Sequence, residues 1–193
     1  MATGAESEAL KLVQRIPAET GQFPPNWSKQ ASTTAVGKTM IVALLILHGL
    51  LAVALLGAIT HQTISVWAPM RGAAGSFVGR MRAVPAKSYV NAIVVLYALT
   101  ALLGGIIYPT YRLSVRIVLE QMQLYVPNGA FELKEHFVAL GLGVLPAYWY
   151  FWREPQTAEH ASTRAVLTAL LAFIVWWGFL VGHVLNNIRG FDL

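Results

Sequence analysis

Polar and apolar positions in this chain fall into long blocks. Four apolar runs, at residues 40–59, 89–107, 137–152 and 165–184, are separated by shorter stretches that carry most of the charges. A hydrocarbon core about 30 Å thick takes roughly 20 residues of helix to cross, and a helix satisfies its own backbone on the way. The first, second and fourth runs reach that length. The third, of about 16 residues, needs its flanks, 131–136 and Arg153, to complete a crossing. The pattern predicts an all-α integral membrane protein with four transmembrane helices in an antiparallel bundle. The helices are expected over about 37–67, 87–123, 131–153 and 162–188, within a membrane domain spanning 37–189. A polar N-terminal arm occupies 1–36, and an amphipathic extension follows the second helix.

Local signals place the boundaries. Ala68-Pro69 stops the first helix, because the residue before proline is pushed out of the α region. Pro85 suits the first turn of the second helix. Beyond Pro109 the character changes, with Arg112, Ser114, Arg116 and Glu120 among Leu, Val and Ile, which predicts a kink and an amphipathic continuation at the membrane surface. Val126-Pro127-Asn128-Gly129 predicts a turn, and Glu132 and Glu135 then sit at the positive end of the third helix. Pro146 predicts a kink within it. The third helix closes on Tyr148-Trp149-Tyr150-Phe151-Trp152-Arg153, an interfacial aromatic belt with a basic anchor.

Small residues mark expected contact faces. Ala54, Gly57, Ala58, His61, Ser65 and Ala68 share a stripe that should meet a neighbouring helix, and Gly178 and Gly182 form a small-xxx-small pair. Tyr97, Ala101, Gly104 and Tyr108 line one side of the second helix.

With 56% hydrophobic and 12% charged residues, the chain carries about half the charge of a soluble domain. The net charge of +5 falls at the water boundary, where anionic headgroups of the lipid bilayer are the expected partner. No basic face is interleaved with aromatics as nucleic-acid binding would require. Four crossings put both termini and the middle loop on one face, A, with Lys11, Arg15, Lys29, Lys38, Arg112, Arg116, Lys134 and Arg189; face B has Arg71, Arg80, Arg82, Lys87, Arg153 and Arg164. Near the helix ends these balance, so the positive-inside rule selects neither orientation. The first 36 residues hold Glu6, Glu8 and Glu19 where a secretory signal would be basic and then apolar, so the first helix is expected to direct its own insertion. With no cysteine, thiol catalysis, disulfides and thiolate clusters are excluded.

Candidate chemistry centres on five histidines, all in or beside the predicted helices. His136 and His183 lie toward face A, His61 and His160 toward face B, and His48 nearer the middle. Two cross-helix pairs on opposite sides would suit haem b held by paired imidazoles. The stripe running from His136 through Leu140, Gly143, Ala147 and Tyr150 is a candidate porphyrin face. His48 and His61, 13 residues apart, point in nearly opposite directions, about 220° around the helix. An ionisable group within the membrane, as His48 is, marks a candidate functional position.

A second constellation gathers at face A: Tyr108, Tyr111, Arg112, Arg116, Glu120, Glu132, Lys134, Glu135 and His136. Such groups form ion pairs, or bind a lipid or quinone headgroup, for which Tyr108, Tyr111, Arg112, Arg116 and Glu135 are the candidates. The chain has no pair of Glu-x-x-His motifs for di-iron chemistry, no His-Glu-x-x-His and no Gly-x-Ser-x-Gly.

The expected function is therefore that of a small non-catalytic subunit of a larger membrane complex, in an electron-transfer or other bioenergetic assembly, with other membrane-protein subunits as partners. Its expected location is a bacterial inner membrane or an equivalent energy-transducing membrane. The alternatives are a b-haem electron carrier with a quinone or lipid site at face A, and a membrane assembly factor or lipid-binding protein.

Overall fold

Helix is what a chain this apolar must form, and helix is what the computed structural model contains. It describes residues 27–69, 75–76, 79–80, 83–155 and 157–191, and no strand occurs among them. Most of the predicted arm, residues 1–26, lies outside the described residues, as do Arg71 and Arg82 of the first loop. By contacts the chain divides into two units, Met1–Ala43 and Leu44–Leu193. The described part of the first is helical throughout; the second holds the core and the features below.

Helix α1 runs from Trp27–Trp67 and ends directly before Ala68-Pro69. A 3-10 turn, Ala86–Tyr89, follows Pro85 and leads into α2, Val90–Tyr111. A π-helical turn, Arg112–Arg116, connects to the short α3, Ile117–Gln121. Helix α4 covers Tyr125–Arg153, and α5, Ala161–Phe191, follows a 3-10 turn at Ala158–His160. Three stretches are long and apolar enough to cross a membrane: Thr39–Trp67, Ala86–Tyr111 and Ala158–Leu185.

Two boundaries differ from expectation. The first helix starts at Trp27, about ten residues early. The segment between Trp27 and Gly37 contains no proline, and extending an established helix adds one bond per residue fixed. Its polarity keeps it out of hydrocarbon without making it irregular. The turn expected at Val126–Gly129 instead lies at residues 122–124, where Gln123 adopts φ 59°. Pro127 is then the third residue of α4, where the missing N–H has no intrahelical partner to lose. Asn128 is buried in the same turn and accepts a long bond from the Tyr111 hydroxyl at 3.4 Å.

One apolar cluster joins the four long helices. Leu55 and Ile59 of α1, Ile93 and Tyr97 of α2, Tyr148 and Trp152 of α4, and Leu171 and Ile174 of α5 all belong to it. A smaller cluster of Leu119, Val181 and Leu185 seats α3 against α5.

Polar clasps fix how these surfaces meet. Gln62 is fully buried. Its Nε2 donates to the Ala86 carbonyl at 3.1 Å, and its Oε1 accepts from the Tyr148 hydroxyl at 2.6 Å. The carbonyl only accepts, so the orientation of the amide is determined. Tyr97 donates to the Val138 carbonyl at 3.0 Å, Trp152 Nε1 to Thr168 Oγ1 at 3.2 Å, and Trp176 Nε1 to Thr60 Oγ1 at 3.0 Å. At the same end as Trp152, buried Arg164 donates to the Thr157 carbonyl at 2.9 Å and lies over the Trp152 ring.

Gly141 is where α4 and α2 come closest to collision, because a methyl group there would run into the Tyr97 hydroxyl and ring. Gly141→Ala is expected to destabilise the folded protein by about 1–3 kcal/mol, the usual cost of overpacking. Gly143→Ala, on the open side of the same helix with nothing within 4 Å, serves as the control; it should be neutral or stabilising by up to about 1 kcal/mol. Unfolding by sodium dodecyl sulfate, followed by circular dichroism, measures both.

Tyr148→Phe strands the Gln62 oxygen and should cost about 1 kcal/mol, within the range measured for hydrogen bonds between membrane helices. In a double-mutant cycle with Gln62→Leu the two losses should not add, because the Tyr148–Gln62 bond is removed by both variants, while Gln62→Leu alone also frees the Ala86 carbonyl.

Candidate functional site

A concavity with both polar and apolar lining lies among α1, α2, α4 and α5. His48 enters it from α1, Tyr97 and Thr100 from α2, and Lys134 and Glu135 from α4, while Leu55, Val138, Ile174 and Phe179 supply apolar walls. Its volume is about 90 Å³. That exceeds the roughly 10–15 Å³ a single water needs and falls short of the roughly 300 Å³ at which ordinary ligand pockets begin. Small residues create the space. Ala52, Ala101, Gly104 and Gly178 line it, and a methyl group at Gly104 would approach the His48 ring to 3.3 Å.

Its polar groups are unevenly satisfied. Tyr97 spends its hydroxyl hydrogen on Val138. Lys134 Nζ lies 2.9 Å from Glu135 Oε1 and 4.2 Å from the centre of the Phe131 ring, so the two charges offset one another. The His48 ring lies beside Gly104 and within reach of the Thr100 backbone, to which it makes a weak hydrogen bond, while its Nδ1 and the Thr100 Oγ1 are buried without a partner of good geometry in the protein.

The other four predicted histidines pack against four different neighbours. His61 lies 4.9 Å from the Tyr89 ring, His160 meets the edge of Phe151 at 5.4 Å, and His183 is parallel to Phe179 at 6.2 Å. His136 is exposed and its Nδ1 engages the Glu132 carbonyl of its own helix at 2.7 Å. The stripe that continues from it through Leu140, Gly143, Ala147 and Tyr150 is exposed along its length, so it forms an outer surface of α4. Neither this cleft nor a second, shallower apolar groove lined by Ala98, Leu102, Gly105 and Leu142 is lined by two histidines.

The face A cluster divides in two. Tyr111 stacks on Phe131 at 3.7 Å, with Tyr108 beside both and Arg112 over the Tyr108 ring. Arg116 bonds Glu120 Oε1 at 2.7 Å and Glu132 Oε1 at 2.9 Å, tying the π-helical turn to α3 and α4. These groups are half exposed and largely engaged with one another, and such surface pairs contribute little to stability. Glu135 alone of the predicted quinone or lipid residues reaches the cleft.

Thr100 and Gln62 carry the polar geometry and were not singled out by sequence. For Gln62 a signal existed: an uncharged amide five residues from the end of a long apolar helix must find a protein partner. Thr100 carried none, because threonine in a membrane helix ordinarily bonds its own backbone. The described residues contain no cluster of three or more His, Cys, Asp or Glu able to hold a metal. No family model, curated protein or solved structure matches this chain.

Proposed function

We propose that the chain is a small, non-catalytic subunit of a larger complex in a bacterial inner membrane or an equivalent energy-transducing membrane, crossing it four times as an antiparallel bundle. Support for the fourth crossing comes from α4. At 29 residues it is about 43 Å long. Tyr97 bonds Val138 and Lys87 approaches the Arg153 carbonyl, so α4 advances as α2 returns. Against α5, Phe137 meets Trp177 while Trp152 bonds Thr168, again in opposite directions.

The observation that carries the subunit reading is the uncovered small-residue face of α1. Gly49, Ala54 and Gly57 are exposed, and a methyl group at either glycine would meet nothing within 4 Å. Glycine costs a helix about 1 kcal/mol relative to alanine. Lipid tails do not reward that cost, whereas a second helix approaching closely does. Only 6% of the most apolar window of α1 is buried in the chain, against 33% for α5, so α1 has the surface to offer. The occupant this surface fits is a transmembrane helix of another subunit.

Membranes solubilised in mild detergent should release the wild-type chain in an assembly well above its own mass of 21.1 kDa. Gly49→Leu/Gly57→Leu should free it as a folded monomer, with helix content and unfolding midpoint unchanged or raised. A wild-type chain that runs alone from native membranes removes the proposal.

A further inference from the structure

We propose that the cleft around His48 binds the head of a membrane-soluble molecule with a small, uncharged, carbonyl-bearing head and an apolar tail, the class to which prenylated quinones belong. This inference is independent of the subunit reading, since a lone monomer would carry the same site.

Two polar atoms set the chemistry. His48 Nδ1 from α1 and Thr100 Oγ1 from α2 are buried, line the same cleft, and have no hydrogen-bond partner of good geometry in the protein. A buried polar atom without a partner is rare in folded proteins, and two in one concavity call for a shared one. A neutral imidazole offers one N–H and one lone pair, and a hydroxyl offers both roles. A carbonyl oxygen accepts from both groups when His48 carries its proton on Nδ1. A reduced, hydroxyl-bearing head is served by the other tautomer.

Charge and size narrow the class. Lys134 and Glu135 face each other at 2.9 Å, so the cleft has no uncompensated charge with which to hold a phosphate or a carboxylate. Arg112 and Arg116, two further cations of face A, are engaged with Tyr108, Glu120 and Glu132. The volume of about 90 Å³ admits a single ring or ester group and no porphyrin. Leu55 and Ile174 close the floor of the cleft, while Val138 and Phe179 are half-buried, so a tail would leave on their side.

The test uses the full-length protein in nanodiscs of zwitterionic lipid and titrates a decyl-tailed benzoquinone against tryptophan fluorescence. Trp176 and Trp177 adjoin the cleft residues Val175 and Gly178 in sequence and supply the signal. Monodecanoylglycerol, competing for the same site, distinguishes an ester carbonyl from a quinone ring. Dodecane, which has a tail and no head, and decanoic acid above its pKa, which has a charged one, are the controls.

Saturable quenching by the quinone is expected. Thr100→Val, which is isosteric, and His48→Leu should each weaken binding roughly tenfold, as loss of one ordinary hydrogen bond would. Gly104→Leu should abolish it by filling the cleft. Displacement by monodecanoylglycerol would assign the site to neutral carbonyl heads in general, and failure to displace would assign it to the ring; both outcomes support the proposal. Quenching that does not saturate, equal displacement by dodecane or decanoic acid, or equal affinity in wild type and a normally folded Thr100→Val variant overturns it.

Discussion

The buried amide of Gln62 holds this fold in its arrangement. It joins α1 to the turn that opens α2 through the Ala86 carbonyl, and to α4 through Tyr148. In hydrocarbon, apolar contact alone does not choose which helix faces which, because lipid tails satisfy a leucine as well as another leucine does. Groups with hydrogen-bonding capacity do choose, since an unmatched one is costly in that medium. Gln62 offers a donor and an acceptor on one rigid plane, so it sets two neighbours at once. With α1 otherwise so sparsely enclosed, this clasp and the Trp176–Thr60 bond define its place.

Buried polar groups are matched in part at each end of the interface: Gln62 is fully bonded while neighbouring His61 Nδ1 is not, and in the cleft Tyr97 is bonded while His48 Nδ1 and Thr100 Oγ1 are not. Around Gln62, large aromatics fill the space between helices, and Tyr148 and Trp152 both find acceptors. Toward His48 the lining shifts to Ala52, Ala101, Gly104 and Gly178, and the helices no longer fill the gap between them. Small residues usually let membrane helices close up. Here the tight stop at Gly141 against Tyr97 spaces α4 from α2, so the small residues beside it leave a cleft.

Much of this was legible in the blocks of apolar residues. Their lengths gave the long helices, Ala68-Pro69 gave the end of α1, and Pro85 gave the entry to α2. The Pro127-Asn128-Gly129 turn misled because Pro127 and Asn128 are also tolerated in a helix's first turn, and the chain reverses at Gln123, whose positive φ nothing in its side chain announces. The histidines show a different limit. Apolar run lengths fix the height of an imidazole in the membrane, while its direction around the helix depends on packing. His136 could be placed near one end of α4, yet its stripe, rich in small residues, lies on the outside, and the interior face two residues away is marked by Gly141. His48 was identified as the most central ionisable group, and its position among α2 and α4 residues gives that expectation a geometry.

Two surfaces of α1 make opposite demands. Gly49 and Gly57 offer a face with no polar atom to satisfy and no bulk to displace, which rewards close backbone contact and nothing else. His48, one residue before Gly49, turns the other way and presents an atom that shape alone does not satisfy. A helix pressed against the first face has no need to enter the second, and a small polar head in the second would gain nothing from the first. Because both lie on one helix, occupation of either restricts the rotation of α1 about its axis. Each would therefore favour the other through the fixed azimuth of a single helix, without any contact between the two occupants.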